Sequence, residues 1–239
     1  MIRNTKPGFL LFVTLLALNQ ICAQRNSEEN RYIDHFDQVA VSAGIDLYLT
    51  QGNEHKLKVV ADDDIMDEIV TELDGDRLII KMKNKSHWNW RNWKNNDPIK
   101  VYITFENLES IKASGGSDVY SESQISGEEM DVHASGGCDM RLDLQLDQLY
   151  CQTSGGSDLY LTGRVKSMEA YTSGGSDLHA KDLDIGNCVL ESSGGSDAKV
   201  TVNGELEVRA SGASDIYIYG NPKILSKRSS GASDIHIRS

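Results

Sequence analysis

The sequence has little proline, little cysteine and a deficit of positive charge. Only 3 of its 239 residues are proline and 4 are cysteine, whereas glycine is plentiful at 21. This balance favours an ordered, turn-rich β protein over a disordered chain. Its 24 Lys and Arg residues are outnumbered by 36 Asp and Glu, giving a net charge of −12. Such a charge makes nucleic acid and anionic membrane surfaces poor partners.

Long apolar runs are also scarce, since the sequence has one, at Phe9–Leu18, preceded by Arg3 and Lys6. This arrangement is typical of a secretory signal peptide and is too short for a permanent membrane helix. We expect residues 1–23 to be a signal peptide and 24–33 a linker, with no transmembrane segment after cleavage. The protein would then be exported to the periplasm, the cell surface or the medium. A lipid anchor at Cys22 is the alternative, but Ile21 precedes it where a small residue is usual.

A short acidic motif, SGGSD or a close variant, recurs seven times in the second half of the chain. Its aspartates are Asp118, Asp139, Asp158, Asp177, Asp197, Asp215 and Asp234. They are separated by 21, 19, 19, 20, 18 and 19 residues. Apolar and polar residues alternate on both sides of each motif, which indicates strand, turn and strand. Like strands at a fixed period stack into coils. The sequence therefore predicts an all-β fold, a single-chain β-solenoid or right-handed parallel β-helix with ~19-residue coils, regular over residues 113–239.

The glycines of the motif predict a tight corner. The first glycine is present in every copy, and these residues are Gly115, Gly136, Gly155, Gly174, Gly194, Gly212 and Gly231. The second is replaced by Ala213 and Ala232 in the last two copies. We expect the first glycine to carry a positive φ or the closest backbone approach, and the second merely to be small.

The aspartate column has a structural and a metal-binding interpretation. Each carboxylate is expected to accept backbone N–H bonds in its own turn. The alternative is a calcium ladder, but the calcium-binding nonapeptide has a further glycine before its Asp and half this period. We therefore predict structural turns, with no metal and no cofactor.

The cysteines that follow the signal segment are Cys138, Cys151 and Cys188, an odd number that cannot form a complete disulfide framework. Cys151 and Cys188 fall in inward columns two coils apart, so they should be buried and too distant for a disulfide. Cys138 replaces the serine of its turn and is expected near the surface.

Catalytic motifs such as GxSxG, HExxH or a phosphate loop are missing from the sequence. His133, His179 and His236 fall in repeating outward columns, and no unrepeated cluster of acids stands apart from the repeat. The sequence therefore predicts that the protein is not an enzyme.

Residues 34–112 are less regular. FDQVAVSAGIDLYLTQG alternates like a strand pair around a degenerate copy of the turn, and DRLIIKMK and IKVYITF also read as strands. In ADDDIMDEIVTEL, the run Asp62–Asp64 is placed to cap a helix that continues through Val70, with a metal site as the alternative.

All three tryptophans lie in one polar insertion between two of these strands. Trp88, Trp90, Arg91 and Trp93 form a candidate ligand-binding loop, because flat rings stack on sugars or enter protein pockets and arginine adds an anchor. The alternative is that the rings fold back over the solenoid.

The segments GIDLYLTQG, DDDIMDEIVTELDGDRLIIKMK and IKVYITFENLESIKASGGSD, with the repeated turns, resemble the putative auto-transporter adhesin head GIN domain family. The resemblance begins at about residue 34 and implies an exported, β-helical protein without known catalysis. We therefore predict an adhesion-like protein that binds an unidentified glycan or protein. A structural envelope protein and a polysaccharide-active enzyme are the alternatives.

The last strand, Asp234–Ile237, is followed by no capping helix. A bare strand edge invites pairing with another chain, so we expect either a homodimer or protection of the edge by Lys227, which stands in an apolar column.

Overall fold

The computed structural model describes residues 26–83 and 98–238, and it is a β-solenoid of about seven turns. The predicted all-β fold is thereby confirmed. The strands are β1 (Asn26–Arg31), β2 (Gln38–Ser42), β3 (Ile45–Gln51), β4 (Lys56–Asp62), β5 (Ile69–Asp74), β6 (Arg77–Met82), β7 (Ile99–Phe105), β8 (Ser110–Ser114), β9 (Val119–Ser121), β10 (Ile125–Ser135), β11 (Asp139–Ser154), β12 (Asp158–Thr172), β13 (Asp177–Ser192), β14 (Ala198–Val202), β15 (Glu205–Gly212), β16 (Asp215–Gly220), β17 (Lys223–Gly231) and β18 (Asp234–Arg238).

The regular coils stack in parallel and in register. Leu159 of β12 lies opposite Met140 of β11 and Leu178 of β13, and all three are buried. The polar residues between the inward columns point outward, as the alternation predicts. Like residues therefore meet at every coil, and the apolar columns form one continuous core.

The strands of the N-terminal part do not stack in the order in which they follow one another along the chain. Strand β2 lies between β6 and β8, and β3 lies between β7 and β9, all in parallel. Antiparallel strands close this end, because β5 pairs with β6, while β4 pairs with both β7 and β1.

The predicted helix is shorter than the sequence indicates. Helix α1 spans only Asp63–Met66, and its residues Ile65 and Met66 are buried. Asp62 stands at the N-cap position but makes no side-chain capping bond. Ile69 and Val70, expected to continue the helix, begin β5 instead and lie opposite Met82 and Lys81 of β6, because pairing with a neighbouring strand overrides the weak local preference for helix.

The C-terminal end consists of β17 and β18, which pair on one side with β15 and β16. Lys227 lies opposite Val208 as expected, and its Nζ donates to the carbonyl of Ile235 at 2.9 Å. Strand β17 departs from the regular register next to Leu225. A register shift puts Ile224 opposite Leu206 and leaves Leu225 49% exposed.

Candidate functional site

The first glycine of every turn has a positive φ, between 65° and 82°. The same backbone also passes close to the preceding coil. A Cβ at Gly155 would lie 3.3 Å from the nitrogen of Gly136, and one at Gly212 would lie 2.6 Å from the carbonyl oxygen of Gly194. Both features favour glycine at this position.

The second glycine adopts two conformations along the solenoid. Gly116, Gly137 and Gly156 have positive φ values of 75°, 79° and 86°, so the expectation that this position need only be small is wrong for the first three coils. From Gly175 onward φ is no longer positive.

The cause is a flip of the peptide between the two turn residues. In an early coil, the carbonyl of Gly136 accepts from Gly116 of the coil before it. In a later coil, the carbonyl of Gly194 accepts from Ala213 of the coil after it, at 2.7 Å. The flipped turn needs a positive φ only at its first residue, so alanine fits at its second.

A column of serines lies inside the turns. Ser117, Ser157, Ser176, Ser196, Ser214 and Ser233 are all buried. Ser176 donates to the carbonyl of Ser173 at 2.8 Å, three residues earlier, and this bond recurs in other coils.

Cys138 replaces one of these serines and is fully buried, so its expected surface position is wrong. Its Sγ lies 3.1 Å from the carbonyl of Ser135, in the place of the serine hydroxyl. Burial raises the pKa of this thiol. Cys151 and Cys188 are free and buried as expected, and burial raises the pKa of Cys188 to about 12.

The aspartates form a ladder between coils rather than bonds within one turn. The Oδ1 atom of Asp118 accepts from the backbone N–H of Asp139 at 2.9 Å. The same bond joins Asp158 to Asp177 at 3.3 Å, and Asp177 to Asp197 at 3.0 Å. The expectation that each carboxylate satisfies its own turn is therefore wrong for these residues.

Outward side chains form a second ladder, here called the tyrosine ladder, whose members lie two residues after an aspartate, except Tyr102, which lies two residues after Lys100. Its members are Tyr102, Tyr48, Tyr120, Arg141, Tyr160, His179, Lys199, Tyr217 and His236 in spatial order. The rings stack face to face. The Tyr48 and Tyr102 centroids are 4.7 Å apart, those of Tyr160 and His179 4.5 Å. The guanidinium of Arg141 continues the stack, 4.6 Å from the Tyr160 ring.

The two ladders are linked electrostatically. The hydroxyl of Tyr120 donates to Oδ2 of Asp118 at 3.3 Å. Burial and the neighbouring carboxylates, Asp118 first, raise the pKa of Tyr120 to about 12, and burial also raises the pKa of Tyr48 and Tyr160. These hydroxyls remain protonated hydrogen-bond donors at neutral pH. Where the rings stack, their faces are covered by neighbours, so those parts of the ladder present ring edges, hydroxyls and carboxylates.

Near the C-terminal end, Asp215, Asp234 and His236 bring three potential ligand atoms within 4.8 Å of one another. In an interior coil, the equivalent carboxylate of Asp158 accepts hydrogen bonds from the backbone N–H of Asp177 and from the hydroxyl of Tyr160. The sequence predicts no metal site, and three surface groups at the last coil do not by themselves establish one.

The candidate loop residues Trp88, Trp90, Arg91 and Trp93 lie outside the described residues, so their ligand-binding role stays a prediction. Conversely, sequence reasoning missed Tyr102 and Tyr48 as members of the tyrosine ladder. The shared pattern of IDLYL and IKVYI was the available signal, since it places both tyrosines at the same outward position.

No helix among residues 26–83 and 98–238 combines the length and apolar character needed to cross a membrane.

Comparison with known structures identifies the same fold. A crystal structure of a putative adhesin from Bacteroides fragilis is 20% identical, with a TM-score of 0.82 over 90% of this chain and 98% of that one. A putative lipid binding protein from Parabacteroides distasonis is 18% identical, with a TM-score of 0.70 over 91% of this chain and 98% of that one. A putative adhesin from Parabacteroides merdae is 16% identical, with a TM-score of 0.70 and the same coverage.

No curated protein matches the chain significantly. A family model does match it, over residues 35–222, in agreement with the resemblance of the turn and strand segments. The chain belongs to the family described as putative auto-transporter adhesin, head GIN domain.

Proposed function

We propose that this protein is an exported or cell-surface, non-catalytic binding protein of the adhesion type, and that its tyrosine ladder recognises a glycan chain. Family membership and the adhesins among its structural relatives support an adhesion role. The observation that carries the proposal is the ladder from Tyr102 to His236 beside the aspartate ladder, which stacks in two runs, Tyr102 to His179 and Tyr217 to His236, with Lys199 between them.

The chemistry of this face suits a polyhydroxylated polymer. Tyrosine hydroxyls and the polar groups of Arg141, His179, Lys199 and His236 donate along the ladder, and carboxylates accept beside them, with about 4.8 Å between successive coils. The stacked rings, such as Tyr48 between Tyr102 and Tyr120, hold these groups in fixed positions. A rigid, repeating surface loses little conformational entropy when it binds a repeating ligand.

The described cysteines do not favour catalysis. Nucleophilic thiols have a lowered pKa, but burial raises that of Cys138, Cys151 and Cys188. Each is also buried away from any substrate.

The test is a glycan array probed with the mature protein, followed by calorimetry on the glycans it binds. Tyr160→Ala removes one ring from the middle of the ladder and should weaken binding about tenfold, because it also releases His179 and Arg141 from their stack. Tyr32→Ala is the matched control, since Tyr32 is 88% exposed but outside the ladder. Failure of every glycan to bind, or an equal effect of both substitutions, would contradict the proposal.

A further inference from the structure

The opposite half of each coil, which precedes the turn, carries a groove separate from the tyrosine ladder. Two depressions of about 380 Å³ and 840 Å³ share Glu129, Asp131 and Gln148 and so form one continuous groove along the solenoid. The smaller section extends to Leu225 on β17 and contains the features that identify a partner.

Acidic and apolar side chains alternate along this section. Asp131, Tyr150, Glu169, Val189 and Glu207 lie opposite one another on successive coils, and all line the groove. Because neighbouring strands are about 4.8 Å apart, the acids repeat about every 9.6 Å along the axis. The apolar residues have the same repeat, offset by one coil.

Two apolar residues that line this section, Val189 of the column and Leu225 beside it, are unusually exposed for their type. Val189 is 38% exposed and Leu225 49%, although both line a concave surface. Exposed apolar residues grouped in a depression and bordered by polar ones mark interaction sites.

The acids of this column are uncompensated, although Glu205 beside them pairs with Lys223 at 2.8 Å and the larger section is also lined by Arg77 and Lys112. Among the described residues, Asp131, Glu169 and Glu207 form no ion pair with lysine or arginine. In the adjacent column, by contrast, Glu191 pairs with Arg209 at 2.9 Å. Charge complementarity therefore calls for a cationic partner with apolar groups between its charges.

We propose that this groove binds a cationic polypeptide segment in the polyproline II conformation, with lysine or arginine at every third residue. Such a segment rises about 3.1 Å per residue with three residues per turn, so one face repeats about every 9.3 Å. Over two repeats it would depart from the acid spacing by about 0.6 Å, which flexible cationic side chains absorb. An extended strand repeats on one face about every 6.7 Å and would fall out of register.

Each group of the groove then has a role. Cationic side chains lie over Asp131, Glu169 and Glu207, while prolines between them rest on Tyr150 and Val189. Apolar and aromatic grooves recognise polyproline II segments in this way, because the ligand is already ordered before it binds. This surface is distinct from the tyrosine ladder, so the inference does not depend on glycan recognition.

The experiment measures fluorescence anisotropy of labelled peptides with the mature protein. Five repeats of Pro-Pro-Lys should bind at least tenfold more tightly than five repeats of Pro-Pro-Pro-Lys, which carry the same charge but repeat about every 12.4 Å. Five repeats of Pro-Pro-Glu should not bind. Equal affinity for the two lysine peptides would overturn the proposal, because it would show only non-specific charge attraction.

Substitutions locate the binding. Glu169→Gln and Glu207→Gln should each weaken binding roughly two- to fivefold and together about tenfold, as expected for exposed charge pairs. Val189→Ser should also weaken it. Asp182→Asn, the same charge change at an exposed position of β13 outside the groove, should leave it unchanged. Unaltered affinity in the Glu169/Glu207 double variant, with an unchanged melting temperature, would refute the site. Glycan binding measured on the same variants separates this failure from failure of the proposed function.

Discussion

The Oδ1 atom of Asp197 accepts a hydrogen bond from the backbone N–H of Asp215, at 3.0 Å, one coil further along the solenoid. The side chain of one turn is thus an acceptor for the backbone of the next. This relationship explains how a column of like charges is tolerated, because each bond to an N–H offsets part of the repulsion between neighbouring carboxylates.

Asp177→Ala should destabilise the protein by about 1–3 kcal/mol, because the partly buried N–H of Asp197 would lose its acceptor. Asp177→Asn keeps an oxygen at this place and reduces repulsion, so it should cost less. Urea unfolding followed by circular dichroism measures both changes. Asp182→Ala, at an exposed position outside the ladder, is the control and should alter the unfolding free energy by no more than about 0.5 kcal/mol. Equal losses for the alanine and asparagine variants at 177 would contradict the hydrogen-bond explanation.

Calcium at millimolar concentration should leave the melting temperature unchanged. The ladder carboxylates at Asp118, Asp158, Asp177 and Asp197 each already accept a backbone N–H, and a bound ion would stabilise the folded state measurably. Differential scanning calorimetry with calcium and with a chelator checks this. A rise of several degrees would revive the calcium ladder, and its loss in Asp234→Asn would place the ion at the last coil.

The regular coils could be predicted from sequence because their information is local and repeated. Inward residues such as Leu159 and Leu178 recur at the coil period, and the structure places them opposite one another. The direction of the hydrogen bonds of Asp177 could not be predicted in the same way. A carboxylate that follows a glycine turn can accept a backbone N–H either from its own turn or from the next coil. Only the offset of the coils along the solenoid axis determines which of the two N–H groups it accepts.

The N-terminal part was less predictable because its partners are distant in sequence. The placement of β2 between β6 and β8 depends on pairing between residues that are tens of positions apart in the sequence. The alternating pattern of a strand does not indicate which distant strand it pairs with. The burial of Cys138 was missed for a related reason, since a turn motif reads as exposed while its serine position faces the core. Trp88 and its neighbours stay a prediction.

Alanine substitutions in the turns should follow the backbone conformation rather than the position in the motif. Gly155→Ala should cost roughly 1–2 kcal/mol or more, since φ is 70° and the Cβ would approach Gly136. Gly156→Ala should cost about 1 kcal/mol from its φ of 86° alone. Gly175→Ala should be nearly neutral, because its φ is not positive and no atom lies within 4 Å of the added Cβ. Thermal melts rank the three variants, and equal sensitivity of Gly156 and Gly175 would show that the peptide flip is absent.

Cys138, Cys151 and Cys188 should be unreactive in the native protein. All three are buried, and burial raises the pKa of each thiol. A reagent therefore cannot reach the sulfur atoms, and the nucleophilic thiolate form is scarce. Iodoacetamide followed by peptide mapping should label these positions only after unfolding. A bridge between Cys151 and Cys188 in unreduced protein would be incompatible with the observed register.

The free energy of unfolding should decrease at alkaline pH, and part of this decrease should come from the ionisation of Tyr120. Burial and Asp118 raise the pKa of Tyr120 from 10.0 to about 12, so the folded state holds this proton more tightly than the unfolded state. The resulting contribution to the free energy of unfolding is fully present below pH 10 and is lost as the pH rises from 10 toward 12. Tyr120→Phe removes the ionisable group and should lessen the fall without abolishing it, since burial also raises the pKa of Tyr48 and Tyr160. Urea unfolding at pH values from 8 to 12 measures the slope, with Tyr219→Phe, whose ring lies under Lys181 and outside the ladder, as the control. Identical slopes for Tyr120→Phe and the unmodified protein would mean that the hydroxyl of Tyr120 is solvated and not held between its stacked neighbours and Asp118.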